Sequence, residues 1–188
     1  MPPKPRISRE AVVEAGFGLV RREGAEALNA RSAAAELGCS TQPVMYHFST
    51  MAALREAICR FAEEWHSQYL MVPEPNTDPL LSIGLRYIRF GAEERHLFRF
   101  LFQSDRYARM DIRQLLAEYD EALAPVYAVL RAETGCDAER CRAVFAQLFV
   151  TAHGLASLLA NNGMQYDAEF CSGILNAAFE GAMKGEPQ

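Results

Sequence analysis

The sequence lacks the features that define several protein classes. Its five cysteines show no paired short spacing, so they fit reduced thiols better than a disulfide framework. The longest apolar run, residues 144–160, contains Gln147, Thr151, His153 and Ser157 and is too polar and too short for a membrane span. The N-terminus has no apolar signal-peptide core, which favours a cytoplasmic protein. No segment alternates apolar and polar residues as a β-strand does.

Common catalytic and metal-binding motifs are missing as well. The chain has no phosphate-binding glycine loop, no nucleophile elbow and no HExxH motif. Cys136 and Cys141, with Asp137, Glu139 and His153, match no familiar zinc spacing. An enzyme is therefore the weaker alternative, and we expect no catalytic residues, no metal and no cofactor.

Charge is distributed unevenly along a chain that, at 188 residues, is long enough for one large or two small domains. Residues 1–60 carry eight Lys or Arg and six Asp or Glu, whereas the remainder carries eleven and eighteen. The net charge of −5 argues against indiscriminate polyanion binding, but the N-terminal third can present a cationic face to DNA. This asymmetry supports two modules with different partners.

Apolar periodicity and helix-capping residues predict an all-α fold of about nine helices. Ser8, Asp137 and Asp167 are the predicted N-caps of three long helices. The proline-rich segment 72–79 is the clearest break in the chain, and a helix restarts at its end. A helix predicted over residues 110–132 should bend at Pro125.

Residues 29–48 read as two short helices joined at a glycine. Asn29 can cap the first helix, and Gly38 suits the left-handed position just past its end. Ser40 can cap the second helix, with Pro43 in its first turn, where the missing N–H leaves nothing unsatisfied. A short helix, a tight turn and a second helix with polar residues at its start predict a helix-turn-helix.

The start of the second helix carries side chains suited to reading bases. Thr41 and Gln42 lie in its first turn, and glutamine can pair bidentately with adenine. Pro43 can contact a thymine methyl, and Tyr46 lies on the same face as Gln42. His47 can donate to a phosphate. The alternative is a helical hairpin whose polar residues are only solvated.

The stretch GCSTQPVMYHFSTMAAL, with the helix capped at Ser8 and the turn at Gly24, resembles the DNA-binding domain of TetR-family transcriptional regulators. The resemblance covers about 50 of the 188 residues. In that family the recognition helix ends in tyrosine, any residue, histidine and phenylalanine, and a lysine opens the next helix. His47 and Phe48 match, but Met45 and Met51 occupy the tyrosine and lysine positions, whose family residues usually hold phosphates. Tyr46, Ser49, Thr50 and the amides at Met51 are alternative phosphate ligands.

The resemblance implies a set of DNA-contacting residues and an N-terminal arm. Some family members send such an arm to the minor groove; the alternative here is a frayed soluble tail. We expect DNA contacts from Arg31, Ser40, Thr41, Gln42, Pro43, Tyr46, His47 and Thr50, with Lys4 and Arg6 in the arm.

The helix after Asp137 carries apolar residues at the spacing of a helix–helix seam. That pattern alone favours the core of a monomer, but TetR-like proteins dimerise through their last two long helices. His153 and the glycine after it also resemble the His-Gly signature of one C-terminal subgroup. We therefore expect a homodimer with an interface of Phe145, Leu148, Ala152, Leu155, Leu159, Phe170, Ile174 and Ala178.

The middle helices are rich in aromatic residues, with Arg86, Arg89, Gln147 and His153 as the nearest polar groups. Aromatics at helical spacing usually form core. The resemblance implies instead an apolar pocket for a small-molecule effector, whose identity the sequence does not reveal. The expected pocket residues are Trp65, Tyr69, Tyr87, Phe90, Phe98, Phe102, Tyr127, Phe149 and His153.

These observations predict an N-terminal three-helix helix-turn-helix domain, residues 1–54, and a C-terminal helical domain for ligand binding and dimerisation, residues 55–188. The expected function is a sequence-specific regulator, a repressor released from a palindromic operator when a small molecule binds. The alternative is a TetR-like helical dimer with weak or no DNA binding that acts as a protein-interaction module.

Overall fold

The computed structural model describes residues 7–104, 114 and 121–185. Lys4, Arg6 and most of the predicted helix between residues 110 and 123 lie outside the described residues. Over the described ranges the chain is all-helical, with nine α-helices and one 3₁₀ turn, which confirms the predicted fold class. The helices are α1 Arg9–Glu23, α2 Ala30–Glu36, α3 Thr41–His47, α4 Met51–Leu70, α5 Pro79–Glu93, α6 Arg95–Phe102, α7 Ala124–Thr134, α8 Ala138–Asn162 and α9 Ala168–Lys184, and the 3₁₀ turn is Ala25–Ala27.

The predicted N-caps begin their helices. Ser8 Oγ accepts a hydrogen bond from the Ala11 amide at 3.1 Å, and Asp137 and Asp167 cap α8 and α9 in the same way. One helix prediction was wrong. Pro125 does not bend a long helix but lies in the first turn of α7, after a turn at residues 121–123. Proline is tolerated there because the first amides of a helix have no intrahelical partner.

Contacts divide the chain into two compact units. Unit 1 comprises residues 1–68 and 96–104, and unit 2 comprises residues 69–95 and 105–188. This division does not coincide with the predicted domain boundary after residue 54, because α4 packs within unit 1 as far as Gln68 and α6 joins the same unit. Helix α4 is unbroken and so contributes residues to both units.

The core of unit 1 contains the inward faces of α1, α3, α4 and α6. Val12, Val44, Leu54 and Ile58 are fully buried, and Phe98 of α6 is equally inaccessible. Only one side of the short helix α3 is covered in this unit, which leaves its other side on the surface.

Unit 2 is built on α5, α7, α8 and α9. Helices α5 and α8 approach closely at Gly91, where an added Cβ would lie 2.5 Å from the Ala156 carbonyl oxygen. A glycine is therefore required at this crossing. The buried hydrophobic cluster of this unit contains Val126, Leu130, Cys141, Val144, Phe145 and Ala182.

Helix α8 is the one described helix that is long and apolar enough to cross a membrane by length and composition alone. Core helices of soluble proteins meet the same criteria. Here α8 packs against α5, α7 and α9.

Candidate nucleic-acid interface and effector region

Residues that the sequence predicted to matter fix the start of α2 and the turn that follows it. Asn29 Oδ1 accepts from the amides of Arg31 and Ser32, both at 3.0 Å, and Ser32 Oγ accepts from the Asn29 amide at 2.9 Å. This reciprocal capping box fixes the start of α2. Gly38 has φ +59°, the left-handed conformation expected at the end of the helix.

Helix α3 begins after Ser40, whose backbone is extended as in an N-cap. Within the described residues its side chain makes no capping hydrogen bond. The Ser40 hydroxyl is therefore not committed to the helix start and is exposed at the N-terminal end of α3.

The two sides of α3 differ sharply in burial. Val44 is fully buried and Phe48, just past the helix, is nearly so. Thr41 and Gln42 are exposed, Met45 is 42% exposed and Tyr46 is 81% exposed. Residues four apart lie one above the other on a helix. The structure therefore gathers two polar residues from the first turn and two large residues from the second turn on one surface, called here the α3 outer face.

The other predicted DNA-contacting residues differ in exposure. Arg31 of α2 is exposed, whereas Pro43 is half-buried. Thr50 is exposed, and its Oγ1 accepts from the Ala53 amide at 3.1 Å, which caps α4. That contact leaves the Thr50 hydroxyl hydrogen free of the cap, because the oxygen acts there as acceptor.

His47 is held by the chain that precedes α1. Its Nε2 donates to the Ile7 carbonyl oxygen at 2.9 Å, since a carbonyl can only accept. The Arg9 guanidinium lies 4.7 Å from the centre of the Phe48 ring. A phosphate contact by His47, as the sequence predicts, therefore has to use Nδ1, which can donate only when both ring nitrogens carry a proton. The hydrogen bond also ties Ile7 to the last residue of α3.

The nine residues predicted to line an effector pocket are divided between the two compact units. Three of them belong to unit 1, namely Trp65, Phe98 and Phe102. The ring centres of Trp65 and Phe17 are 5.8 Å apart, and those of Phe98 and Phe102 are 5.3 Å apart. Phe98 is fully buried, as core aromatics commonly are.

Three of the predicted residues come together in unit 2. Tyr87 and Nδ1 of His153 form a hydrogen bond of 2.9 Å, and Phe149 lies 5.9 Å from the Tyr87 ring and 5.5 Å from the His153 ring. Tyr127 lies next to this group through Phe145, whose ring stacks on Phe149 at 5.8 Å. Burial lowers the pKa of His153, which favours the neutral imidazole at pH 7.

The remaining two predicted pocket residues lie near an ion-pair cluster that sequence reasoning did not foresee. Tyr69 packs 5.6 Å from Phe90 and donates to a carboxylate oxygen of Glu93 at 2.9 Å. Burial is the main cause that raises the pKa of Tyr69 above its usual value, and this hydrogen bond adds to the effect. Arg86 Nε donates to the Tyr69 carbonyl oxygen at 2.6 Å.

Arg86 and Arg89 converge on one oxygen of Glu74. The distances to Glu74 Oε1 are 3.3 Å from Arg86 and 2.7 Å from Arg89. Glu74 lies in the proline-rich segment that the sequence marked only as a break. The Glu74 amide also donates to Ser82 Oγ at 2.8 Å. The segment is therefore fixed to α5, and both cations already have a carboxylate partner.

The predicted dimer residues separate into interior and surface positions. On α8, Phe145, Ala152 and Leu159 are buried inside unit 2, and Leu148 packs against its buried cluster. Leu155, like Ala178 of α9, is half-buried. The three buried α8 residues thus pack on the protomer's own core.

The last two helices also carry exposed apolar side chains, spaced eight residues apart on α8 and four residues apart on α9. Their exposed fractions run from 37% at Ile174 to 60% at Phe170, with Val150 and Leu158 between them. Both α9 residues belong to the predicted interface, whereas Val150 and Leu158 do not. We call these four residues the α8–α9 apolar face.

A short helix α2, a left-handed glycine and a short helix α3 with one buried and one exposed side form the arrangement of a helix-turn-helix. Residues 80–177, more than half of the chain, match the family described as tetracyclin repressor-like, C-terminal domain. The chain therefore belongs to the TetR family of transcriptional regulators, which are DNA-binding proteins and not enzymes. The comparison does not assign it to the His-Gly subgroup.

Solved structures share the fold along nearly the whole chain. A TetR-family transcriptional regulator from Streptomyces coelicolor superimposes with a TM-score of 0.71 at 19% identity, covering 97% of this chain and 82% of that one. A transcriptional regulator from Rhodococcus sp. Rha1 gives 0.66 at 21% identity, with 94% and 96% covered. The multidrug binding protein EbrR, complexed with ethidium, gives 0.59 at 23% identity, with 94% and 99% covered. No curated protein matches the sequence.

Proposed function

We propose that this protein is a homodimeric regulator that binds a palindromic operator through the α3 outer face and leaves it when a small molecule binds unit 2. The cytoplasm is the compartment that such a role requires. The observation that carries the proposal is the position of Gln42. Its side chain is exposed in the first turn of a helix whose other side is anchored in the core by Val44.

This anchoring matters because base readout needs a side chain held at a fixed place. The N-terminal residues of a recognition helix contact base edges in the major groove, while neighbouring groups hold phosphates. Gln42 can pair bidentately with adenine, and Thr41 can donate or accept. Arg31, Thr50 and Nδ1 of His47 are the groups proposed to hold phosphates.

A homodimer is supported by the α8–α9 apolar face. Each of its four side chains is at least 37% exposed, and large contiguous apolar patches on a protein surface mark interaction sites. A two-fold contact would use the same face on both copies, and it would present two recognition helices to two half-sites.

The effector is proposed to bind beside the group formed by Tyr87, Phe149 and His153. Their rings offer an apolar wall, and the Tyr87–His153 hydrogen bond offers one polar point, a combination typical of small-molecule sites. EbrR, which shares the fold, is described in complex with ethidium. A ligand shifts the protein towards release only by the difference between its affinities for the two states. Because α4 is continuous from Met51 to Leu70, we propose it as the element that transmits this shift.

The test is a selection of genomic DNA fragments by the purified protein, followed by binding measurements on the enriched sequence and on random DNA. We expect one palindromic motif and an affinity that falls steeply with salt. Gln42→Ala should weaken binding to the motif by about 1–3 kcal/mol while leaving random DNA nearly unaffected. Equal losses on both DNAs would refute base readout by Gln42.

A protein-interaction dimer without DNA binding remains the second candidate, and two observations favour it. Met45 has no hydrogen-bond donor for a phosphate, and Nε2 of His47 is already used by Ile7. No enriched sequence in the selection, together with a stable dimer, would support this candidate over the operator-binding regulator.

A further inference from the structure

Met45 occupies an unexpected environment for a methionine. Its side chain is 42% exposed on the α3 outer face, one turn after Thr41, while Val44 beside it in sequence is fully buried. Core packing therefore does not explain an apolar side chain at this position. Tyr46, the neighbouring exposed residue, extends the same surface.

A phosphate contact does not explain Met45 either. A thioether has no hydrogen-bond donor and no charge, so it cannot hold the negatively charged backbone of DNA. Methionine is instead apolar, unbranched and flexible, and it adapts its shape to irregular apolar surfaces. The partner that suits it on DNA is an apolar group within reach of the helix.

The major groove offers one such group, the 5-methyl of thymine. Helix α3 rises about 1.5 Å per residue, which places Met45 about 6 Å along the axis from Thr41. Consecutive bases of a strand are about 3.4 Å apart along the duplex, so this distance corresponds to fewer than two base-pair steps. A methyl that Met45 can reach therefore belongs to a base close to those facing Thr41 and Gln42.

We propose that Met45 is a specificity-determining residue that packs on the 5-methyl group of a thymine within about two base pairs of the bases read by Thr41 and Gln42. The inference rests on the proposed function, in which α3 enters the major groove. It changes the role of this position from gripping the backbone to reading sequence.

Deoxyuridine tests the contact because it differs from thymidine only by the missing methyl. The selected operator is prepared with each thymine replaced in turn by deoxyuridine, and binding is measured by fluorescence anisotropy. For the wild-type protein, one replacement per half-site should weaken binding about fourfold, the factor for burying one methyl group. The other replacements should change the affinity less than twofold.

Two variants assign that methyl to a residue. With Met45→Ala the sensitive position should bind thymine and deoxyuridine equally, and Met45→Gln, of similar length but polar, should behave in the same way. Because Met45 is 42% exposed and the buried Val44 anchors α3, both variants should fold, and either one suffices if the other fails to fold. Pro43→Ala is the matched control, since Pro43 is the other apolar residue in reach of a thymine methyl on this helix.

Three outcomes would overturn the inference. The methyl effect could persist in both Met45 variants and disappear in Pro43→Ala, the operator could carry no thymine within reach, or Met45→Ala could weaken operator and random DNA equally. Failure of the proposed function has a different signature. In that case the wild-type protein enriches no DNA sequence at all, and no operator exists on which to compare thymine with deoxyuridine.

Discussion

Leu158→Arg is the substitution expected to separate the two copies of the proposed dimer. Leu158 lies on the α8–α9 apolar face and is 50% exposed in the protomer. An arginine there places an unpaired charge where the second copy would bury an apolar side chain, and the two-fold axis repeats the change on the other copy.

The size of the effect follows from the exposed fraction. Burying a whole leucine side chain contributes about 1.5–3 kcal/mol, so the exposed half of Leu158 leaves about 1 kcal/mol for the interface. Two copies give about 2 kcal/mol, which corresponds to a dissociation constant raised about 30-fold. Desolvation of the two arginines adds to this loss, so 30-fold is a lower bound.

Sedimentation velocity over a range of protein concentrations measures the change directly. Ala128→Arg is the matched control, because Ala128 is exposed on α7, outside the apolar face, and introduces the same charge. We expect the control to dimerise as the wild type does and Leu158→Arg to sediment as a monomer at micromolar concentration. If Leu158→Arg dimerises with unchanged affinity, the apolar face is not the interface.

Three further changes probe the fold. Gly91→Ala should lower the free energy of unfolding by about 1–3 kcal/mol, because the new Cβ would meet the Ala156 backbone. Gly18→Ala is the control in the interior of α1, where alanine should raise the free energy of unfolding by about 0.5–1 kcal/mol, and a denaturant melt in which both variants behave alike would refute the close crossing. The Arg140 guanidinium donates to three carbonyl oxygens at the end of α9, so Arg140→Met should lower the free energy of opening there by about 1–2 kcal/mol and speed amide hydrogen exchange in the last turn. Unchanged exchange would show that this cap is dispensable. Burial lowers the pKa of His66 from 6.5 to about 3, so the imidazole stays neutral in the folded protein while it gains a proton in the unfolded chain below pH 6.5. The free energy of unfolding should therefore fall below pH 6.5, by about 2 kcal/mol at pH 5, and melts of His66→Leu at pH 7 and 5 should lack that part of the decline.

The helix-turn-helix was predictable because its signals are local. The cap at Asn29 and the left-handed glycine at position 38 each depend on a few neighbouring residues, and the structure has both. Ser40 occupies the predicted N-cap position of α3, but its side chain makes no capping hydrogen bond. The all-α fold and the family follow from the same kind of pattern and are confirmed. Pro125 shows the limit of local signals, because a proline inside an apolar pattern fits a bend and a new helix equally well.

The surfaces of the second unit were harder to predict, since they depend on which elements meet in space. Helix α8 is apolar on more than one side, and spacing alone does not say which side meets the protomer's own core. The structure assigns Phe145 and Leu159 to the interior and leaves Leu158 exposed. Likewise, Glu74 lies in a segment without periodicity, and only the fold brings it to Arg86 and Arg89.

The predicted effector pocket illustrates the same difficulty with aromatic residues. Phe98 and Tyr87 both follow helical spacing, yet the first belongs to unit 1 and the second to unit 2. A pattern of aromatics therefore predicts burial well but not the partners that share it. The group around Tyr87 and His153 stays the proposed effector region because one hydrogen bond and two ring contacts join three of the predicted residues there.

Hydroxyl-radical footprinting on the selected operator tests whether a dimer reads DNA through α3, because it locates the protein on DNA without assuming which residues bind. We expect two protected half-sites related by two-fold symmetry, with centres about one helical turn, roughly 34–36 Å, or a multiple of it apart. Protection should disappear with Leu158→Arg at concentrations where that variant is monomeric. Uniform protection along the fragment, or none at any protein concentration, would contradict a dimeric regulator that reads DNA through α3.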